Sequence, residues 1–223
     1  MPNESDKTEQ QPEIRDILFG DLPSSQWPSQ SATGLDVEPW LSFICARDQF
    51  TSGDRVNSAQ TLEQILLMPD LESRHYLQAW NFLRELGESP GADEARRLYG
   101  VVVEVMLDEG LDIVAAYADH TARYFNYSGA AVVWERADGS LDLVIDSLLE
   151  TGRAVAAQIG PWDGARPPAP PRGQVRISML VPSGLHFGQG PLDALSRDPL
   201  GGPVISSAMQ LMQSLIARTE NAA

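Results

Sequence analysis

The chain has 223 residues, 43% of them hydrophobic, which is enough to build one main domain with a sizeable core. Acidic residues outnumber basic residues 31 to 16, and the formal charge is -15. Because phosphate backbones and anionic lipids repel such a charge, the composition argues against binding to nucleic acid or to a membrane surface.

Cysteine content and hydropathy predict a soluble protein of the reducing cytoplasm. Cys45 is the single cysteine, so an intrachain disulfide and a multi-cysteine zinc site are both excluded. The first ten residues are polar and do not resemble a signal peptide. No run of about 18 uninterrupted apolar residues is present that would predict a membrane-spanning helix.

Residues 1–36 are rich in Pro, Ser, Gln and acidic residues, and such a segment buries too little apolar surface to offset its ordering entropy. We therefore predict a disordered acidic tail. Within it, Ile14, Ile17 and Leu18 lie at helical spacing and are followed by Phe19. This amphipathic patch is a candidate binding element, either for the rest of the chain or for a partner protein.

Residues 37–90 are predicted to form a helical segment that packs on the main domain. The first helix covers residues 38–50, the second covers residues 61–68, and the third covers residues 70–86. Cys45 lies on the apolar face of the first helix, where we expect it to be buried as a small hydrophobic side chain.

The central part of the chain predicts an antiparallel sheet. Four apolar runs between residues 98 and 135 are separated by turn-forming residues, a pattern typical of a four-strand meander. In the first run, Val101 belongs to the face expected to point inward and Glu104 to the face expected to point outward. Loops this short join antiparallel neighbours and exclude a parallel crossover, which favours the α+β class.

The meander belongs to a predicted domain of residues 91–223. The elements expected after it are a helix over residues 141–159, a Pro-rich polyproline II connection over residues 160–173, strands over residues 174–181 and 185–189, and a helix after Pro203. The predicted fold is therefore α+β, a four-strand antiparallel meander extended by a C-terminal strand pair and flanked by helices. The wide apolar face of the last helix predicts burial in the core or in a homodimer.

Aromatic residues form a second group of candidate binding residues. Those on the meander have three interpretations, namely core packing, a small-molecule pocket or a protein-binding sheet face. Trp162, in the Pro-rich connection, is either packed on the core or exposed as an interface anchor. The meander aromatics are Tyr117, Tyr124, Phe125, Tyr127 and Trp134.

No catalytic or metal-binding signature is present in the sequence. The three histidines share no metal-ligand spacing, and no Gly-x-Ser-x-Gly motif occurs, so we predict no metal and no cofactor. The glycines of residues 184–190 lack a complete dinucleotide fingerprint, which favours ordinary turns. His186 among them, and Cys45, are the residues that a hydrolytic site would use.

These observations favour a non-enzymatic protein-binding function, as an adaptor, regulatory or inhibitory subunit. The acidic charge adds a more specific hypothesis, a basic partner attracted by charge complementarity. Two other classes stay open, a small-molecule sensor with a pocket between the meander and the helix at residues 141–159, and a hydrolase-type enzyme. The candidate binding residues are Ile14, Ile17, Leu18, Phe19, Trp162, Tyr124, Tyr127 and His186.

Overall fold

The computed structural model describes residues 14–27 and 37–221. Its centre is a six-stranded sheet whose strands are β1 (Gly100–Met106), β2 (Leu111–Tyr117), β3 (Ala122–Phe125), β4 (Ala131–Trp134), β5 (Gln174–Val181) and β6 (Gly184–Pro191). All neighbours are antiparallel, in the order β4-β3-β2-β1-β5-β6. The predicted α+β class, with its meander and added strand pair, is confirmed.

The described ranges contain six α-helices, none of them long and apolar enough to cross a membrane. They are α1 (Trp40–Thr51), α2 (Arg55–Leu67), α3 (Ser73–Glu85), α4 (Asp142–Ala156), α5 (Leu192–Leu195) and α6 (Gly201–Asn221). α4 and α6 cover one face of the sheet with a large apolar core. α3 and residues 14–20 cover the other face, and α1 and α2 pack outside α3 around a separate core.

Two layers therefore bury both faces of β1, although the sequence predicted one buried face. Val101 and Val103 pack against α4 and α6, while Val102 packs on the α3 side. Glu104, expected to point to solvent, is fully buried. Its Oε1 accepts a hydrogen bond from Arg15 Nε at 2.6 Å, and its Oε2 lies 3.5 Å from Arg176 Nη1 on β5. A carboxylate is tolerated at this depth because two guanidinium groups compensate its charge.

Part of the predicted disordered tail is folded. Residues 14–22, here called the N-terminal segment, lie across the α3 face of the sheet with Leu18 and Phe19 buried. Trp27 is also buried, in the core shared by α1, α2 and α3. A few large apolar side chains and the Arg15 ion pair supply the contacts that the average composition did not indicate. Residues 1–13 and 28–36 of the predicted tail lie outside the described residues.

Two helices begin at positions that differ from the prediction. α2 starts six residues earlier than predicted, because the Asp54 carboxylate accepts the backbone N–H of Asn57 at 3.2 Å and caps the helix. α3 starts later, at Ser73, whose backbone N–H donates to Asp119 Oδ2 at 2.6 Å. Asp119 lies in the turn between β2 and β3, so this cap depends on a contact that local sequence does not reveal.

We expect Glu104→Leu to lower the free energy of unfolding by about 3 kcal/mol, because Arg15 and Arg176 then lose the carboxylate between them. Chemical denaturation measures this loss. The matched control is Glu135→Gln, which removes a carboxylate 2.7 Å from Arg123 but at a side chain that is 60% exposed. The control should cost less than about 1 kcal/mol. Equal losses in the two variants would contradict the central role of Glu104.

Candidate functional site

A cleft of about 560 Å³ opens on the α3 side of the sheet. One wall comes from the C-terminal half of α3 and another from Phe19, Gly20 and Asp21 of the N-terminal segment. The β5–β6 turn and residues 161–166 of the Pro-rich connection complete it. The volume lies within the range of about 300–1,000 Å³ that is usual for binding pockets.

Trp162 is the most exposed aromatic side chain of the cleft, with 51% of its surface open to solvent. Its ring packs edge-on against Phe187 with a centroid distance of 5.4 Å, and its Nε1 donates to the Ala165 carbonyl at 3.1 Å. A Cβ at Gly164 would lie 2.8 Å from that Nε1, so the indole would have to shift if residue 164 carried a side chain. The indole is therefore held in one position and still presents half of its surface.

Both arginines of the cleft are engaged by groups of the protein itself. Arg84 donates from Nη1 to the Pro182 carbonyl at 2.6 Å, and burial lowers the pKa of its guanidinium. Arg166 forms ion pairs of 2.7 and 2.8 Å with two carboxylates of the N-terminal segment, those of Asp16 and Asp21. The cleft consequently offers little free positive charge.

Two further carboxylates of the cleft, on Glu85 and Asp163, form no salt bridge with any residue that the structure describes. Burial raises the pKa of Glu85, although the nearby Arg84 guanidinium opposes this effect. Free carboxylates beside an exposed indole suit a cation, because a guanidinium or ammonium group gains from the aromatic face and from charge-assisted hydrogen bonds. Among the described side chains, no three His, Cys, Asp or Glu lie together as a metal site.

The structure separates the residues of the predicted patch in the N-terminal segment. Phe19 is buried and contributes to the cleft wall, and Leu18 is buried below it in the sheet-face core. Ile14 and Ile17 are exposed on the outer side of the segment. The patch therefore anchors the segment to its own fold through one pair of side chains and presents the other pair to solvent.

The predicted aromatic group of the meander does not form one surface. Successive residues of a strand point to opposite faces, so Tyr124 joins the α4 and α6 core while Phe125 joins the α3 side. Tyr127 is 56% exposed just after β3. The region proposed for an aromatic pocket, between the meander and α4, is filled by the fully buried Ile145 and Leu148.

Cys45 and His186 lie on different layers, on α1 and on β6. Cys45 is exposed, contrary to the prediction, because α1 turns Phe43, Ile44 and Ala46 toward the core instead. His186 is buried, and its Nε2 lies 3.1 Å from the Ser183 hydroxyl. This contact links the β5–β6 turn to the beginning of β6.

The C-terminal helix α6 buries most of its apolar face against α4 and the sheet. A groove of about 200 Å³ remains between α6 and strands β1 and β2, where Met209 and Leu107 are partly exposed. Core burial therefore accounts for most of the predicted apolar face. A homodimer through α6 stays a prediction.

Comparison of the chain with protein-family models, curated proteins and solved structures gives no match. A fold alone does not specify a function. The side chains of the cleft are consequently the basis for assigning one. The sequence analysis identified Trp162 and Phe19 of this cleft but missed Glu85 and Asp163. Asp163 could have been noticed because it directly follows Trp162, whereas no local signal pointed to Glu85.

We expect acid to destabilise the fold partly through His186. Burial lowers the pKa of this side chain, so the unfolded chain binds a proton that the folded chain does not, and stability falls as the pH drops through the unfolded value of about 6.5. The melting temperature should fall less between about pH 7.5 and about pH 5.5 in His186→Gln than in the wild type. Identical shifts would contradict this assignment.

Proposed function

We propose that this protein is a non-enzymatic subunit that binds another protein, as an adaptor, regulatory or inhibitory component of the cytoplasm. A segment of the partner enters the cleft beside Trp162. The observation that carries this proposal is the half-exposed indole, fixed by Phe187 and the Ala165 carbonyl, next to the carboxylates of Glu85 and Asp163.

A tryptophan held in this way is a suitable interface anchor. Tryptophan is among the residues that contribute most to binding at protein interfaces. Its contacts with Phe187 and Ala165 already restrict the ring, so little conformational entropy remains to be lost when a partner packs on it. The cleft volume of about 560 Å³ accommodates a few side chains of a partner, rather than a whole element of structure.

The charges of the chain support a basic partner. The net charge of -15 favours rapid encounter with a positively charged protein. In the cleft, Arg84 and Arg166 are already bonded to groups of the protein, whereas Glu85 and Asp163 are available. A lysine or arginine side chain of the partner would lie against Trp162 and pair with these carboxylates.

A sensor of small cationic molecules is the second candidate, because the same cleft has the volume of a ligand pocket. This pocket is not where the sequence analysis placed it, because the space between the meander and α4 is filled by buried side chains. The hydrolase alternative gains no support from Cys45 and His186, which lie on separate layers.

We expect Trp162→Ala to weaken capture of the partner at least about tenfold, as for a residue that dominates its interface. The full-length chain, tagged, is used to capture proteins from its native cytoplasm, and the affinity of each variant for the recovered partner is then measured. Tyr127→Ala is the control, because Tyr127 is similarly exposed but lies outside the cleft. Unchanged binding by Trp162→Ala would refute the site. Recovery of the chain alone would favour the small-molecule alternative.

Salt and charge variants separate a specific acidic site from a general charge effect. Binding of the partner should weaken from low to high salt, and Glu85→Gln with Asp163→Asn should reduce both the affinity and its salt dependence. The matched control is Asp108→Asn with Glu109→Gln, which changes the net charge equally at the exposed β1–β2 turn. If both double variants behave alike, the cleft carboxylates have no particular role.

A further inference from the structure

The N-terminal segment is bound to the sheet in the manner of a peptide ligand. Its residues 14–20 form turns, and residues 21 and 22 belong to no helix or strand, so they join no backbone ladder. Side chains of the fold instead form hydrogen bonds with its backbone. Tyr117 Oη donates to the Leu18 carbonyl at 2.8 Å, and Arg74 Nη1 donates to the Ile17 carbonyl at 3.0 Å. The Gln78 side chain accepts a hydrogen bond from the Leu22 N–H at 3.1 Å and donates one to the Leu22 carbonyl at 2.9 Å.

The side chains of the segment are recognised as well as its backbone. Arg15 pairs with the buried Glu104, and Leu18 is fully buried in the sheet-face core. Phe19 packs against the Arg166 guanidinium, with 4.4 Å between that group and the ring centroid. The two carboxylates that pair with Arg166 both belong to the segment, at positions 16 and 21.

Gly20 adds a steric requirement to this recognition. Its φ of +62° lies in the left-handed region, and a Cβ there would come within 2.7 Å of Leu77 Cβ and 2.8 Å of the Arg74 carbonyl oxygen. Any other residue at this position would clash with α3. Six of the seven residues from 15 to 21 therefore make specific contacts with the fold, and only Ile17 presents its side chain to solvent. In order these six are arginine, aspartate, leucine, phenylalanine, glycine and aspartate.

We propose that this face of the sheet is a second docking surface, for a linear segment of another protein that carries this same pattern. The N-terminal segment is its built-in ligand, and a partner segment displaces it. The occupant must supply a cation for Glu104 and carboxylates for Arg166, which is the charge order of residues 15, 16 and 21. This inference does not rest on the function proposed for the cleft.

The test uses a labelled peptide of residues 13–23, a copy of that peptide with Gly20→Ala, and the full-length chain. The wild-type chain should bind the wild-type peptide weakly, because its own segment competes at a high effective concentration. A full-length Gly20→Ala chain should bind the wild-type peptide at least about tenfold more tightly than the wild-type chain does. The Gly20→Ala peptide, with identical charge, should bind that variant at least about tenfold more weakly.

A second variant keeps the test decisive if Gly20→Ala alters the circular dichroism spectrum. Asp16→Asn with Asp21→Asn removes both partners of Arg166 without a change of side-chain size, and it should likewise gain affinity for the wild-type peptide. Equal binding of the two peptides, or no gain in a folded variant, would overturn the proposal. Light scattering is run on every sample, and a dimer dissolved by the peptide would assign the face to a second copy of the chain and overturn it as well.

Discussion

The buried carboxylate of Glu104 is the interaction on which the α3 side of the sheet depends. It joins Arg15 of the N-terminal segment to Arg176 of β5, two positions far apart in the chain. The same arginines also donate to backbone carbonyls of the Pro-rich connection, at Pro167 and Pro168. One charge at the centre of the sheet therefore holds together the segment, the strand and the connection that border the cleft, and it does so because a carboxylate buried without cations would be too costly.

The alternation of apolar and polar residues predicted the strands well, but it did not predict which segments pack on each face of the sheet. Alternation and short turns are properties of neighbouring residues, so the meander and the strand pair could be read from the sequence. Burial of Glu104 could not, because it depends on cations 89 and 72 positions away in the chain. The fold of residues 14–27 has the same origin, since Leu18 and Trp27 are ordered by elements that follow much later. Cys45 was placed on the wrong face because α1 carries apolar residues around much of its surface.

The candidate site likewise contains one residue that the sequence indicated and others that only the fold brings together. Trp162 was conspicuous in the sequence, as a large aromatic residue within a run of glycine and proline. Glu85 lies on α3 and lines the same cleft as Trp162 only because of the fold, so no spacing in the sequence could have indicated the pair. Of the three interpretations of the meander aromatics, core packing fits Tyr124 and Phe125, which are adjacent in β3 and therefore pack on opposite faces of the sheet.

Arg166 lines the cleft and also pairs with two carboxylates of the N-terminal segment. Release of the segment would also withdraw Phe19, Gly20 and Asp21 from the cleft wall. If both surfaces bind as we propose, their occupancies would be thermodynamically linked, and the linkage would be reciprocal. A cleft ligand that contacts this wall would hold the segment in place, and an incoming segment would have to rebuild the wall with its own aromatic residue, glycine and aspartate. What occupies either proposed surface would therefore affect binding at the other.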